Sequence, residues 1–181
     1  PGSAATWRPF AAGWPQHRII AVDLIGHGAS DAPAGESRYT MAHCTADLAA
    51  LLDALDVEHA ALLGYSMGGR VALQFALTAP ERIAALVLES ASPGIDDAAD
   101  RTARVAADRA LAEDIERGGI EVFVDRWEAL PMWATQAALP DLLRRRLRAQ
   151  RLRNSTAGLA NSLRGMGAAA QEPVHNRLGE L

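Results

Sequence analysis

The first part of the chain alternates short apolar runs with segments of helical period. Residues 18–24, 60–63 and 83–89 each contain a short apolar run, with the length and composition of a buried parallel strand. Apolar residues recur at helical spacing from the capping residue Thr40 to Leu55, and again over residues 69–77. This strand–helix alternation predicts an α/β fold, with a parallel sheet and helices on both of its faces.

The pattern changes in the second part of the chain. From about residue 96 to residue 163 the sequence is rich in Ala, Arg, Leu and Glu, has helical period and shows no strand signal. Breaks in this segment fall at Gly118-Gly119, Pro131 and Pro140. An all-helical insertion of this kind predicts a lid over a site. We therefore predict a core at 1–95, a helical lid at 96–165 and a return segment at 166–181.

Ser66 lies at the centre of a Gly-Tyr-Ser-Met-Gly motif, between a predicted strand and a predicted helix. A serine at the apex of a sharp strand-to-helix turn is the context that a nucleophile elbow requires. We expect Gly64 and Gly68 to be needed because a side chain there would meet neighbouring backbone. The Met67 N–H, at the helix N-terminus, would form an oxyanion hole beside Ser66. The alternative is a glycine-rich turn with a bystander serine.

Composition narrows the classes of partner. The 181 residues are 49% hydrophobic with a formal net charge of −4, which fits one globular domain with an insertion and argues against nucleic acid. No apolar run approaches the ~20 residues that span a bilayer, and no secretory signal opens the chain. Cys44 is the only cysteine, so we predict buried packing for it, and no metal site built on cysteine. A cytoplasmic protein is expected.

Arg70 has an unusual position for a cation. It lies four residues after Ser66, in the first turn of the predicted helix, where the helix macrodipole disfavours positive charge. This local cost suggests a carboxylate partner, supplied either by the protein or by a substrate.

The lid contains further arginines with an ordinary explanation. Arg101 and Arg104 are three residues apart and share a helix face. Three aspartates lie four residues from one or the other of them: Asp97, Asp100 and Asp108. From the residues alone, i,i+4 ion pairs account for both arginines.

Several motifs together carry a resemblance to a known family. Residues 23–30, Asp-Leu-Ile-Gly-His-Gly-Ala-Ser, and the serine motif resemble the α/β-hydrolase superfamily. More narrowly, residues 64–70, 89–95 and 100–104 resemble the 2-succinyl-6-hydroxy-2,4-cyclohexadiene-1-carboxylate synthases of menaquinone biosynthesis. The resemblance extends over nearly the whole chain.

The resemblance implies a lyase that eliminates pyruvate from 2-succinyl-5-enolpyruvyl-6-hydroxy-3-cyclohexene-1-carboxylate, with no metal or organic cofactor. Ser66 would be the serine of a Ser-His-Asp triad, and Met67 an oxyanion donor. The substrate, a small polyanion, would be bound by Tyr65, Arg70, Arg104, Trp127 and Arg151. Oligomeric state stays open.

Parts of the family pattern have no counterpart in these residues. The family's early histidine–glycine strand, which supplies a second oxyanion donor, and its triad aspartate and histidine are not matched. We therefore expect a part of a longer enzyme, in which Ser66 is the one triad member within this chain. The histidines are expected to be structural or solvated: His17, His27, His43, His59 and His175.

Two other functions remain open. One is a generic α/β-hydrolase, an esterase or a carbon–carbon bond hydrolase, acting on neutral or singly charged acyl compounds. The other is a non-catalytic binding domain of the same fold. Converging cations at Arg70, Arg104 and Arg151 favour the polyanionic substrate, since a neutral ester gains nothing from them.

Overall fold

The computed structural model describes residues 1–181. Six α-helices and two β-strands are present: α1 (Arg8–Ala11), α2 (Met41–Ala54), β1 (Ala60–Tyr65), α3 (Met67–Thr78), β2 (Ile83–Glu89), α4 (Ala98–Glu128), α5 (Asp141–Leu152) and α6 (Thr156–Met166). Short 3₁₀ helices occupy Ala4–Trp7, Glu36–Arg38, Pro80–Arg82, Pro131–Ala138 and His175–Glu180. The chain forms two compact units. Unit 1 contains residues 1–34 and 111–161, and unit 2 contains residues 35–110 and 162–181.

Unit 2 contains the sheet. Strands β1 and β2 pair in parallel, with Leu62 opposite Leu86 and Leu63 opposite Val87. Helix α3 connects the two strands, and its buried residues Leu73 and Leu77 form a core against which Leu86 packs. Successive strand residues alternate between faces, and Leu63 and Val87 are 40% and 55% exposed. The predicted α/β class with a parallel sheet is confirmed.

The local signals around the sheet are also confirmed. Thr40 caps α2, because its hydroxyl accepts a hydrogen bond from the His43 N–H at 3.1 Å. Helix α3 ends at Thr78, two residues before Pro80. Cys44 is buried inside α2 as predicted, and burial raises the pKa of its thiol to about 12.

The prediction of a third strand at residues 18–24 is wrong. This segment is irregular, and the sheet contains β1 and β2 alone. An apolar run becomes a strand only where another strand supplies ladder hydrogen bonds, and no strand pairs with these residues. Ile19, within the segment, is 43% exposed.

The helical insertion has the predicted breaks. Helix α4 is interrupted at Gly119, whose φ of 76° and ψ of 178° are not helical. Pro131 opens a 3₁₀ helix and Pro140 precedes α5. The boundaries 1–95, 96–165 and 166–181 stay a prediction.

Asp97 caps α4 instead of forming the expected ion pair with Arg101. One oxygen of its carboxylate accepts from the N–H groups of Ala99 and Asp100, at 2.9 and 2.8 Å. Arg101 contacts Glu172 at 3.5 Å. The unpaired N–H groups at the N-terminus of α4 compete with Arg101 for the Asp97 carboxylate. They belong to residues two and three positions after Asp97, nearer in the chain than Arg101.

The loop after residues 18–24 is held together by Asp23 in unit 1. Its carboxylate accepts from the Ala29 N–H at 3.0 Å, and its carbonyl accepts from the Ser30 hydroxyl at 2.6 Å. The loop histidine, His27, is buried with Nδ1 3.1 Å from the Ile25 carbonyl. Asp23 therefore stabilises this loop, and His27 is structural, as expected.

Acid should destabilise the protein through His27. Burial lowers the pKa of His27 from 6.5 to about 4, although the hydrogen bond to Ile25 opposes the change. Between these values the unfolded chain binds the extra proton, so stability is present above pH 6.5 and falls towards pH 4. The full loss is about 3 kcal/mol. Urea titrations across this pH range measure the free energy of unfolding, and His27→Gln should make it depend less on pH. His59→Gln, at an exposed position, should leave the pH dependence unchanged. The same pH dependence in the wild type and in His27→Gln would contradict this prediction.

Candidate active site

Ser66 lies in the geometry that a nucleophile elbow requires. It stands between the last residue of β1 and the first residue of α3, with φ 53° and ψ −119°. A positive φ costs a residue with a side chain about 1–3 kcal/mol, so surrounding contacts must enforce it. One of these contacts is the Ser66 N–H, which donates to the Glu89 carbonyl at 2.9 Å. The serine is exposed at the apex of the turn.

The glycines around Ser66 differ from the prediction at one position. A Cβ at Gly64 would lie 2.5 Å from the Gly69 Cα, and one at Gly69 would lie 2.6 Å from the Ala91 Cβ. Gly68 has open space where a Cβ would be. Gly64 is required as predicted, since a Cβ there would also lie 2.6 Å from the Gly68 carbonyl oxygen, but the second position that requires a glycine is 69 and not 68.

An anion beside Ser66 would meet the N-terminus of a 12-residue helix. Met67 is the first residue of α3, a position whose N–H has no acceptor within the helix. The Met67 sulfur accepts from the Ser162 hydroxyl at 3.5 Å, which fixes its side chain against α6. Tyr65, the last residue of β1, is 41% exposed next to the serine. The predicted oxyanion role of Met67 is compatible with this placement and stays a prediction.

No histidine of unit 2 is hydrogen-bonded to Ser66. The His43 ring is hydrogen-bonded to the Thr40 hydroxyl, and His175 Nδ1 lies 2.9 Å from Asp96 Oδ1. His59 is exposed. A general base for Ser66 is therefore not supplied by unit 2 in this structure. This agrees with the expectation that these histidines are structural or solvated.

Arg70 is buried in unit 2, 8% exposed. Its guanidinium donates to the Met166 carbonyl at 2.8 Å and to the Gln171 side-chain oxygen at 3.1 Å. Both acceptors are neutral, so the positive charge has no carboxylate at hydrogen-bond distance. Burial, and then the charge of Arg104, lower the pKa of Arg70 to about 10, while Asp108 opposes the change. The group stays protonated near neutral pH.

Arg104 and Asp108 form the expected i,i+4 pair on α4. The Arg104 Nε donates to Asp108 Oδ1 at 2.9 Å, and the side chains are 49% and 8% exposed. The structure gives no acceptor to the Nη1 and Nη2 atoms of Arg104. Arg70, Arg104 and Asp108 therefore form a cluster with a formal charge of +1.

Unit 1 holds the other two predicted binding residues. Arg151 donates to Glu128 at 2.8 Å and to Gln136 at 2.9 Å, and its guanidinium lies 5.8 Å from the centre of the Trp133 ring. The ring of Trp127 lies 5.6 Å from that of Trp133. Both terminal nitrogens of Arg151 thus have protein acceptors, and a substrate carboxylate would compete with Glu128. The binding roles of Arg151 and Trp127 stay predictions.

A cavity of about 480 Å³ opens in unit 1 beside Arg151. Arg144, Arg145 and Arg148 also line it, opposed by Glu128 and Asp141. Its lining is cationic overall, which suits an anionic ligand.

Comparison with known proteins identifies the family. The sequence profile of the alpha/beta hydrolase fold matches residues 1–181. The chain belongs to the alpha/beta hydrolase family. The structure titled "Structure of MenH from S. aureus" is 34% identical, with a TM-score of 0.91 over 99% of this chain and 67% of that chain.

Within the alpha/beta hydrolases, the chain is placed among the 2-succinyl-6-hydroxy-2,4-cyclohexadiene-1-carboxylate synthases. A Bacillus subtilis (strain 168) protein provisionally named as such is 44% identical, over 99% of this chain and 66% of the relative. The synthase of Klebsiella pneumoniae strain ATCC 700721 is 35% identical, over 98% of this chain and 68% of the relative. The chain spans about two thirds of the length of these relatives, and slightly less for the Bacillus protein.

The sequence signals of this alpha/beta hydrolase did not reveal the partners of its arginines. Gln171 and Met166 bind Arg70 across separations of 101 and 96 residues. Neither belongs to a motif, and no spacing rule connects them with α3. Glu128, which binds Arg151, lies 23 residues away in a different helix.

No helix of the structure combines the length and the apolar content needed to cross a bilayer.

The elbow geometry predicts opposite effects for two adjacent glycines. Gly69→Ala should destabilise the protein by about 1–3 kcal/mol, because its Cβ would strike Ala91. Gly68→Ala should be neutral or stabilising by up to about 1 kcal/mol, since the space is open and alanine favours helix. Urea unfolding of the two variants measures the difference. A Gly68→Ala loss as large as that of Gly69→Ala would show that the turn is packed differently.

Proposed function

We propose that the chain is the serine-bearing part of an enzyme that eliminates pyruvate from 2-succinyl-5-enolpyruvyl-6-hydroxy-3-cyclohexene-1-carboxylate. The observation that carries the proposal is Ser66 in its strained elbow, in the same unit as the cationic Arg70, Arg104 and Asp108 cluster. The names of the relatives support the choice of substrate. A cytoplasmic location is part of the proposal.

Ser66 would act as the base of the elimination. A serine hydroxyl is too weak for this until a histidine, oriented by a carboxylate, takes its proton. In the proposal these two groups come from outside the 181 residues. The activated serine removes the proton next to the substrate ketone, and the Met67 N–H holds the enolate oxygen. As the ring double bond forms, the carbon–oxygen bond breaks, and the leaving enolpyruvate takes a proton to give pyruvate.

The arginine cluster would bind the carboxylates of the substrate. Nη1 and Nη2 of Arg104 are without acceptors and can take a carboxylate in a two-point contact. Arg70 contributes charge from a buried position, where the low local dielectric strengthens its field. A neutral ester would gain little from either group.

The test compares two substrates with the full-length protein. We expect pyruvate release from the polyanionic substrate at a kcat/KM well above that for hydrolysis of p-nitrophenyl acetate. Lactate dehydrogenase and NADH measure the pyruvate released. Ester hydrolysis without pyruvate release would favour the esterase alternative. Absence of both activities would favour a binding domain.

A further inference from the structure

The pair formed by Arg104 and Asp108 differs from the other arginine–aspartate pairs on α4. In the pair of Arg117 with Asp114, the side chains are 73% and 43% exposed, so both partners reach solvent. In the pair of Arg104 with Asp108, the carboxylate is 8% exposed and only the arginine reaches solvent. The fold therefore fixes Asp108, and Asp108 in turn holds Arg104.

Close packing fixes the Asp108 carboxylate. A Cβ at Gly167 would lie 2.5 Å from Asp108 Oδ2, so only glycine at this position leaves room for the carboxylate. Oδ1 accepts from Arg104 Nε at 2.9 Å, and Oδ2 is buried without a partner. The carboxylate therefore has one hydrogen bond, and that bond is to Arg104.

The energetics argue against a role in stability alone. An exposed i,i+4 pair contributes only about 0.3–0.5 kcal/mol, whereas burying a carboxylate costs several kcal/mol unless its hydrogen bonds are complete. Asp108 is buried with one oxygen unsatisfied. As a stabilising device this arrangement is poor, but as a fixed anchor for a guanidinium it is well suited.

Asp108 contacts the Nε edge of the Arg104 guanidinium, and this determines which nitrogens remain available to bind a ligand. A contact through Nε leaves Nη1 and Nη2 without protein acceptors. These two nitrogens form the fork that binds a carboxylate with two parallel hydrogen bonds. A contact through the fork itself would have consumed it.

We propose that Asp108 is a positioning residue for Arg104, which holds the Nε edge so that Nη1 and Nη2 are presented to a substrate carboxylate. The identity of that substrate rests on the proposed function. Asp108 itself does not touch the substrate, and its effect passes through Arg104.

A double-mutant cycle in the full-length protein tests this. Asp108→Ala should raise the KM for the polyanionic substrate about 10-fold or more and change kcat by less than about threefold. In an Arg104→Ala background, the same change should have no further effect. Asp108→Asn keeps an oxygen acceptor for Nε, so its KM should stay within about threefold of wild type. Asp114→Ala is the matched control on α4 and should leave KM unchanged.

Equal effects of Asp108→Ala in both backgrounds would overturn the proposal, as would a KM for Asp108→Asn as high as that for Asp108→Ala. If Asp108→Ala does not fold, a KM for Asp108→Asn about 10-fold or more above that of the wild type would overturn the proposal.

A readout independent of turnover separates this proposal from the proposed function. In ¹⁵N NMR spectra of the full-length protein, the Arg104 Nε–H signal should be protected from exchange in wild type and in Asp108→Asn, and lose protection in Asp108→Ala. This pattern without pyruvate release would leave the positioning role standing and remove the proposed reaction. Pyruvate release with an unprotected Nε–H in wild type would do the reverse.

Discussion

Replacing Ser66 by alanine should lower the turnover of the full-length enzyme by about 10³-fold or more and leave substrate affinity nearly unchanged. The serine, its base and the orienting carboxylate act as a unit, so loss of the hydroxyl removes the proton transfer. Binding depends on other side chains, chiefly the arginines. Pyruvate release at saturating substrate measures turnover, and calorimetry with the inactive variant measures affinity.

Ser90→Ala is the matched control for this experiment. Ser90 follows β2 and also has a positive φ, of 52°, so the control removes a hydroxyl from a similarly strained backbone. It should retain wild-type turnover. Turnover close to wild type in Ser66→Ala would remove the elbow from the mechanism.

Arg70→Ala and Arg104→Ala should each weaken transition-state binding of the polyanionic substrate by about 2–4 kcal/mol, the size expected for the loss of charged hydrogen bonds. Hydrolysis of a small neutral ester, where it is detectable, should hardly respond. The comparison of kcat/KM for both substrates isolates charge recognition from general damage. Arg117→Ala, an exposed arginine on α4, should affect neither substrate.

Both substitutions should also affect folding. Arg70 is buried and binds Met166 and Gln171, so its removal leaves both acceptors unsatisfied and lowers the free energy of unfolding. Arg104 is half exposed, but its removal leaves the buried Asp108 carboxylate without its one hydrogen bond, which should also lower the free energy of unfolding. Kinetics should therefore be measured well below the Tm of each variant. Equal losses with both substrates would make the arginines structural and favour the generic hydrolase.

The elements that could be predicted from the sequence depend on neighbours along the chain. The apolar run 83–89 forms β2 with the expected bounds, Thr40 caps α2, and the helical segment after residue 96 is interrupted at the predicted glycine and prolines. The elbow belongs to this group, because the strand, the serine and the helix are consecutive. Each of these features follows from propensity, capping or periodicity within a few residues.

Other features were decided by the tertiary structure, because they depend on which distant residues the backbone path brings together. Residues 18–24 have strand composition, but no strand pairs with them. Whether Gly68 or Gly69 is required depends on where Ala91 lies. Arg70 could be predicted as an unusual cation, yet its acceptors come from about 100 residues later in the chain. The i,i+4 spacing predicted the pairing of Arg104 with Asp108, but burial against Gly167 made the aspartate a fixed anchor.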